Sequence, residues 1–241
     1  MGIQSSQRQA LEQLSDNLQG SLGENLRSLV LYGSSVRNDF SRSSSDINLL
    51  IVLRQDTAAA QRAIGNEVEK SSLKISPIVI GGSSSPRSMQ CFALKFADIM
   101  RRDELIFGDD PFSDFEVTQE RRRFLVEQGL RNTRMRLSHA YVLAQPDPQR
   151  YLRTLRQAVP RIFADLAELL RLDGSEIPDE RELQAPLLAR ELGLEPELLQ
   201  KLIELRSKQA GTMQPDIHVL HNALLAVFDR ASEWMVSQWE L

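Results

Sequence analysis

The chain has 241 residues, of which 41% are hydrophobic and 26% charged, and its net charge is −4. That length holds one large domain or two small ones, and that apolar content excludes a chain disordered throughout. The slightly acidic balance gives no global basic field of the kind that draws nucleic acid, and no run approaches the roughly 18 apolar residues of a membrane span. A single cysteine, Cys91, excludes an intramolecular disulfide and points to a reducing, cytoplasmic setting. With no basic cluster beside it to make a thiolate, it reads as a small buried residue. The opening MGIQSSQRQALEQL lacks the basic start and apolar core of a signal peptide.

Leu11, Leu14 and Leu18 recur at three- and four-residue spacing and predict a first amphipathic helix, ended by Gly20 and Gly23. Residues 26–32 (LRSLVLY) predict a strand bounded by Gly33, followed by a short polar helix or turn. Residues 46–53 (DINLLIVL) predict a second strand, whose unbroken apolar run suits a strand covered on both faces. A helix runs from a capping Asp56 through about Lys70. Residues 73–80 (LKISPIVI) form a third strand, and Pro77 puts it at an edge or a bulge because proline cannot donate to the ladder. GGSSSPRS (81–88) reads as a loop, Met89–Met100 as a helix, and 103–112 (DELIFGDDPF) as a short strand and a turn.

From Asp114 onward the pattern is helical. Helices are expected over 114–144, 148–172, 180–192, 195–209 and 215–239, separated by proline and glycine at Pro146, Pro148, Gly174, Pro178, Gly193, Pro196, Gly211 and Pro215. Leu125, Leu130, Leu137 and Tyr141, with Leu166, Leu169 and Leu170, mark the stripes that pack. The plan is an α/β (α+β) domain with a mixed sheet over 1–112, followed by an all-α helical bundle over 113–241.

The chemistry gathers in YGSSVRNDFSRSSSDINLLIVL (32–53). Gly33 permits a tight turn and lets a phosphate approach the backbone closely. Ser34 and Ser35 begin the next element with a hydroxyl and free N–H groups, which suit an anion. Arg37 can reach the same phosphate. Asp46 and Asn48 share one face of the following strand, because strand side chains alternate. Two oxygen ligands opposite a phosphate cradle can clamp a divalent cation against a triphosphate.

This arrangement resembles the nucleotidyltransferase superfamily of the polymerase-beta type, in particular its small bacterial and kanamycin-type members. The family motif is Gly-Ser, a spacer, then Asp-x-Asp or Asp-x-Glu entering an apolar strand. Here it stands as Gly33-Ser34, a spacer, and Asp46-Ile47-Asn48. The resemblance implies an Mg2+-bound nucleoside triphosphate, ATP first among them, and transfer of its nucleoside monophosphate to a small-molecule or protein acceptor. It implies Gly33, Ser34 and Arg37 on the triphosphate, Asp46 on the metal, and Asp46 with the Asn48 position as the catalytic pair.

Two departures fall on that chemistry. Asn48 offers a carbonyl oxygen but no charge. A unit charge pair 4 Å apart is worth roughly 4 kcal/mol at an effective dielectric of 20, so losing one carboxylate weakens metal binding strongly. The third carboxylate of the family, the general base of a later strand, is replaced by Ser76-Pro77. Lys74 and Ser76 are poor substitutes, and Glu67 and Glu69 serve only if the fold brings one in. Two readings follow. One is a nucleotidyltransferase with impaired transfer. The other is an inactive module that binds nucleotide or a partner through its helical half.

His218 and His221 lie three apart on one helical face but lack further ligands for a metal site, and read as solvent-facing or capping; His139 reads as a polar-face residue. Arg121, Arg122, Arg123, Arg131, Arg134 and Arg136 make helix 114–144 basic. That is either a solvated face or a source of one or two phosphate-gripping arginines. Basic clusters without stacking aromatics do not argue for RNA. The last helix is chiefly core, and any apolar remainder, with Trp234 and Trp239 nearby, suits a homodimer surface.

Overall fold

A computed structural model describes residues 5–36, 46–82, 85–144, 147–206 and 215–239. The chain divides into two compact units, Met1–Val117 and Thr118–Leu241.

In the first unit, α1 (Ser5–Leu22) precedes β1 (Leu26–Tyr32), and a 3-10 turn (Gly33–Val36) follows it. Then come β2 (Ile47–Leu53), α2 (Ala58–Lys70), β3 (Ile75–Gly81), α3 (Ser85–Cys91), α4 (Ala93–Met100) and β4 (Asp103–Gly108). The strands form one mixed sheet in the order β3-β2-β1-β4. β1 pairs antiparallel with β2 and with β4, while β2 pairs parallel with β3. The parallel pair needs a crossover, and α2 supplies it.

β2 is central, and six of its seven residues are buried, which is why its apolar run does not alternate. One sheet face carries Leu29, Leu31, Leu49 and Ile51 against Leu11, Leu14 and Leu18 of α1 and Ile64 of α2. The other carries Val30, Tyr32, Leu50 and Val52 against Met89, Phe96 and Ile99 of α3 and α4. Pro77 does sit on an edge strand, with β2 as its one paired neighbour among the described residues.

The structure departs from the sequence expectation at several element ends. The cap of α2 is Thr57, whose side chain accepts from the Ala60 N–H at 3.2 Å, while Asp56 instead accepts from Gln61. Part of the expected 81–88 loop is the helix α3, since proline is tolerated in a first helical turn. The expected helix over 89–100 is broken at Phe92, which has a non-helical backbone and starts α4. Cys91 ends α3 exposed, because that short helix buries Met89 instead.

The second unit comprises α5 (Gln119–Val142), α6 (Pro148–Arg171), α7 (Arg181–Leu192), α8 (Pro196–Arg206) and α9 (Ile217–Trp239). α5 begins five residues later than the expected helix, at the Thr118 cap, which accepts from the Arg121 N–H. α6 packs against all four others and is the axis of the bundle. It buries two acids. Asp165 meets Arg161 at 2.7 Å, and Glu168 pairs with Arg122. Much of the basic face of α5 is therefore tied within its own unit: Arg131 pairs with Glu127, Arg134 with Asp229, and the Arg123 guanidinium lies 5.3 Å over the Trp239 ring.

His221 is buried, contrary to expectation. Tyr151 Oη and its Nδ1 are hydrogen-bonded at 2.9 Å, and its ring stacks on Tyr141 at 4.0 Å. Burial pushes its pKa down, so the neutral imidazole is favoured. Among the described residues no helix is long and apolar enough to cross a membrane.

Candidate functional site at the Gly33 end of the sheet

The sheet register gathers one row of side chains at a single end. Ser76 of β3 pairs with Asn48 of β2, Asn48 with Tyr32 of β1, and Tyr32 with Asp103 of β4. Cross-strand partners share a face, so these four stand in line, Ser76–Asn48–Tyr32–Asp103. Gly33 leaves β1 directly beside this row. Its φ of +79° lies in the left-handed region, where a side chain is disfavoured. A Cβ there would stand 3.3 Å from Asn48 Nδ2, so the turn and the amide are close neighbours. The Gly33 N–H donates to the Arg102 carbonyl at 2.9 Å, which ties the turn to the start of β4. That N–H is therefore already committed, and the glycine contributes its openness rather than a donor. Arg37 and the side chain of Ser34 lie outside the described residues.

Asp46 stands immediately before β2, half-exposed, on the same face as Asn48 by alternation. Its carboxylate is not free. Lys74 Nζ lies 2.7 Å from Asp46 Oδ1. The sheet makes this pairing: the Ile47 N–H donates to the Lys74 carbonyl at 2.8 Å, and Ile47 pairs with Ile75, so residues 46 and 74 are lateral neighbours. Glu67 is held by Lys70 at 2.8 Å on α2, so its carboxylate is taken up by that pair.

Two groups here escaped the sequence reading. Asp103 closes the row on the β4 side, and burial, then Asp110, pushes its carboxyl pKa up. It stands two strands from Asn48, about 10 Å between backbones, with Tyr32 between them. Lys95 of α4 places its ammonium 5.0 Å over the Tyr32 ring. Burial lowers the Lys95 pKa and Asp98 opposes that, while burial and then Asp98 push the Tyr32 phenol up to about 12. Neither residue carries a sequence signal, because only the pairing of β4 with β1 and the packing of α4 bring them to Tyr32.

The magnesium implied by the family resemblance fits this donor set poorly. Mg2+ wants near-octahedral oxygen ligation. Here Asp46 supplies one carboxylate already held by an ammonium, Asn48 supplies an amide, and Ser76 a hydroxyl. No group of three or more His, Cys, Asp or Glu that could hold a metal ion occurs among the described residues.

The architecture has a close counterpart among solved structures. Spectinomycin adenyltransferase AAD(9) from Enterococcus faecialis, solved with ATP and spectinomycin, superposes with a TM-score of 0.62 at 12% identity, over 93% of this chain and 99% of that one. The fold is that of a nucleotidyltransferase. A nucleotidyltransferase-like protein from Exiguobacterium sibiricum 255-15 also matches, at a TM-score of 0.38 and 10% identity, over 94% of this chain and 76% of that one. No family model matches the chain, and no curated protein matches it in sequence. The nucleotidyltransferase fold expected from Gly33-Ser34 and Asp46, with a mixed sheet and a helical second half, is thus borne out at the level of architecture.

Proposed function

We propose that this chain binds a nucleoside triphosphate at the Gly33 end of its sheet and that nucleotidyl transfer there is impaired. The observation that carries this is the row itself. Gly33 neighbours Asn48 at one end of it, which supports a nucleotide reading, yet neither Asn48 nor Ser76 offers a carboxylate. Transfer to an acceptor hydroxyl needs a base within hydrogen-bond reach of its proton, and a serine hydroxyl is a poor one. ATP is the first nucleotide to test, since the fold neighbour was solved with it. In this reading Gly33, Ser34 and Arg37 hold the phosphates, while Asp46 and Asn48 face the α-phosphate. The acceptor, if transfer persists, is a small molecule or a protein side chain.

The test is calorimetric titration of the full chain with ATP, GTP, CTP and UTP. Saturable binding of at least one, lost on Gly33→Val, supports the reading. Absence of binding by all four overturns it. Transfer is read separately, by following label from α-labelled nucleotide into candidate acceptors.

A second reading places the activity in a partner of the helical unit. Arg136, His139 and Arg150 line a groove of about 330 Å3 over Met135 and Leu143, both exposed. α9 also leaves Val219 and Val236 exposed, which suits a second copy of the chain. Sedimentation of the purified protein over a range of concentrations separates a homodimer from a monomer awaiting another partner.

A further inference from the structure

A nucleotide site of this fold needs a cation against its phosphates, and this one carries a cation of its own. The Lys74 ammonium occupies the Asp46 carboxylate at 2.7 Å, at the face where a metal ion would have to sit. Before any nucleotide enters, the protein charges at this face balance. An Asp-x-Asp pair presents two negative charges, which one divalent ion balances. Asp46 and Asn48 present one, which one ammonium balances. A divalent ion entering here would have to displace Lys74 and would find a single carboxylate in exchange. In this chain the single carboxylate of Asp46 and the ammonium of Lys74 balance each other.

The position of Lys74 is built by the sheet rather than reached by a wandering side chain, because the Ile47–Lys74 backbone bond holds the two residues side by side. Its side chain is 78% exposed, leaving room for the ammonium to meet a phosphate while it keeps Asp46. A second ammonium stands at the same end, that of Lys95 over Tyr32, the lateral partner of Asn48.

We propose that the site takes a nucleoside triphosphate without a divalent ion, with the Lys74 ammonium bridging Asp46 and the phosphates and Lys95 adding a second positive charge. This rests on the nucleotide-binding reading above. It makes Lys74 a ligand-contacting residue and predicts a nucleotide sensor indifferent to magnesium rather than a metal-dependent transferase.

The experiment is calorimetric titration of the full chain with ATP, once in excess EDTA and once in millimolar MgCl2. The two affinities are expected to agree within about threefold. Lys74→Met should weaken binding in EDTA about tenfold, the size of one charge-assisted hydrogen bond, and Lys74→Arg should keep it. Surface ion pairs contribute little to folding, so an unchanged melting temperature shows that Lys74→Met remains folded. Binding that appears only with magnesium overturns this proposal and leaves the nucleotide reading standing. So does a Lys74→Met protein that binds in EDTA as well as the parent. Absence of ATP binding under both conditions overturns both.

Discussion

A Cβ on Gly33 would stand 3.3 Å from Nδ2 of Asn48, at a residue whose φ is +79°. The turn that ends β1 and the amide at the start of β2 therefore constrain each other. Gly33→Ala should strain the backbone by about 1–2 kcal/mol, the usual penalty for a left-handed residue with a Cβ. It should also push the Asn48 side chain aside. Urea denaturation measures the first effect. Loss of ATP affinity in protein that is still folded measures the second.

Asn48→Asp restores the second carboxylate beside Asp46. The site then carries one negative charge more than Lys74 balances, and a divalent ion gains a reason to enter. ATP binding in this variant should become at least tenfold tighter in magnesium than in EDTA, within the several kcal/mol that one added charge can supply. A variant that responds to magnesium no more than the parent would show that this end of the sheet is no metal site at all.

Asp165 lies in the helical unit, 2% exposed, against Arg161. Burial raises its carboxyl pKa from 3.8 to about 6, with Arg161 pulling the other way and Glu168 adding to the rise. A raised carboxyl favours the protonated form in the folded state. Its contribution is therefore fully present below pH 3.8 and is lost as pH rises through about 6. The interval corresponds to ~3 kcal/mol. Asp165→Asn should flatten the pH dependence of urea unfolding between about pH 4 and 7 relative to the parent. An unchanged slope would mean that Asp165 is ionised in the fold at all these pH values.

His221 titrates with the opposite sign. Its folded pKa lies below the ordinary 6.5 because of burial, so its contribution is present above that value and is lost as pH falls through the folded one. Tyr151→Phe removes the hydroxyl bonded to Nδ1 and leaves a buried ring nitrogen unpaired, at a cost of about 1–3 kcal/mol. Burial of the ring persists in this variant, so the His221 pKa, followed by NMR of the imidazole protons, should stay below the ordinary value. A pKa that returns to the ordinary value would show that burial is not its cause.

The elements were largely legible in the sequence, and the misses have local causes. β1 coincides with LRSLVLY because a short run rich in Leu and Val, closed by Gly33, suits a buried strand. Thr57 takes the cap expected of Asp56, and α5 starts at the Thr118 cap rather than at residue 114, a competition among small polar residues that sequence spacing does not resolve. His221 looked polar and exposed until α5 and α6 brought Tyr141 and Tyr151 to it. Of the candidate site, Gly33, Asp46 and Asn48 carried a motif spacing; Lys74, Lys95 and Asp103 carried none.

What the sequence determined alone was the order of strands and helices and the charge deficit at position 48, since both are properties of local pattern and of one side chain's chemistry. What only the tertiary structure decided was which residues stand beside Asp46 and Tyr32. Lys74 lies 28 residues from Asp46 along the chain, and Asp103 lies 71 from Tyr32. Sheet register makes each pair lateral neighbours, and register is set by which apolar faces must be buried together rather than by anything written beside either residue.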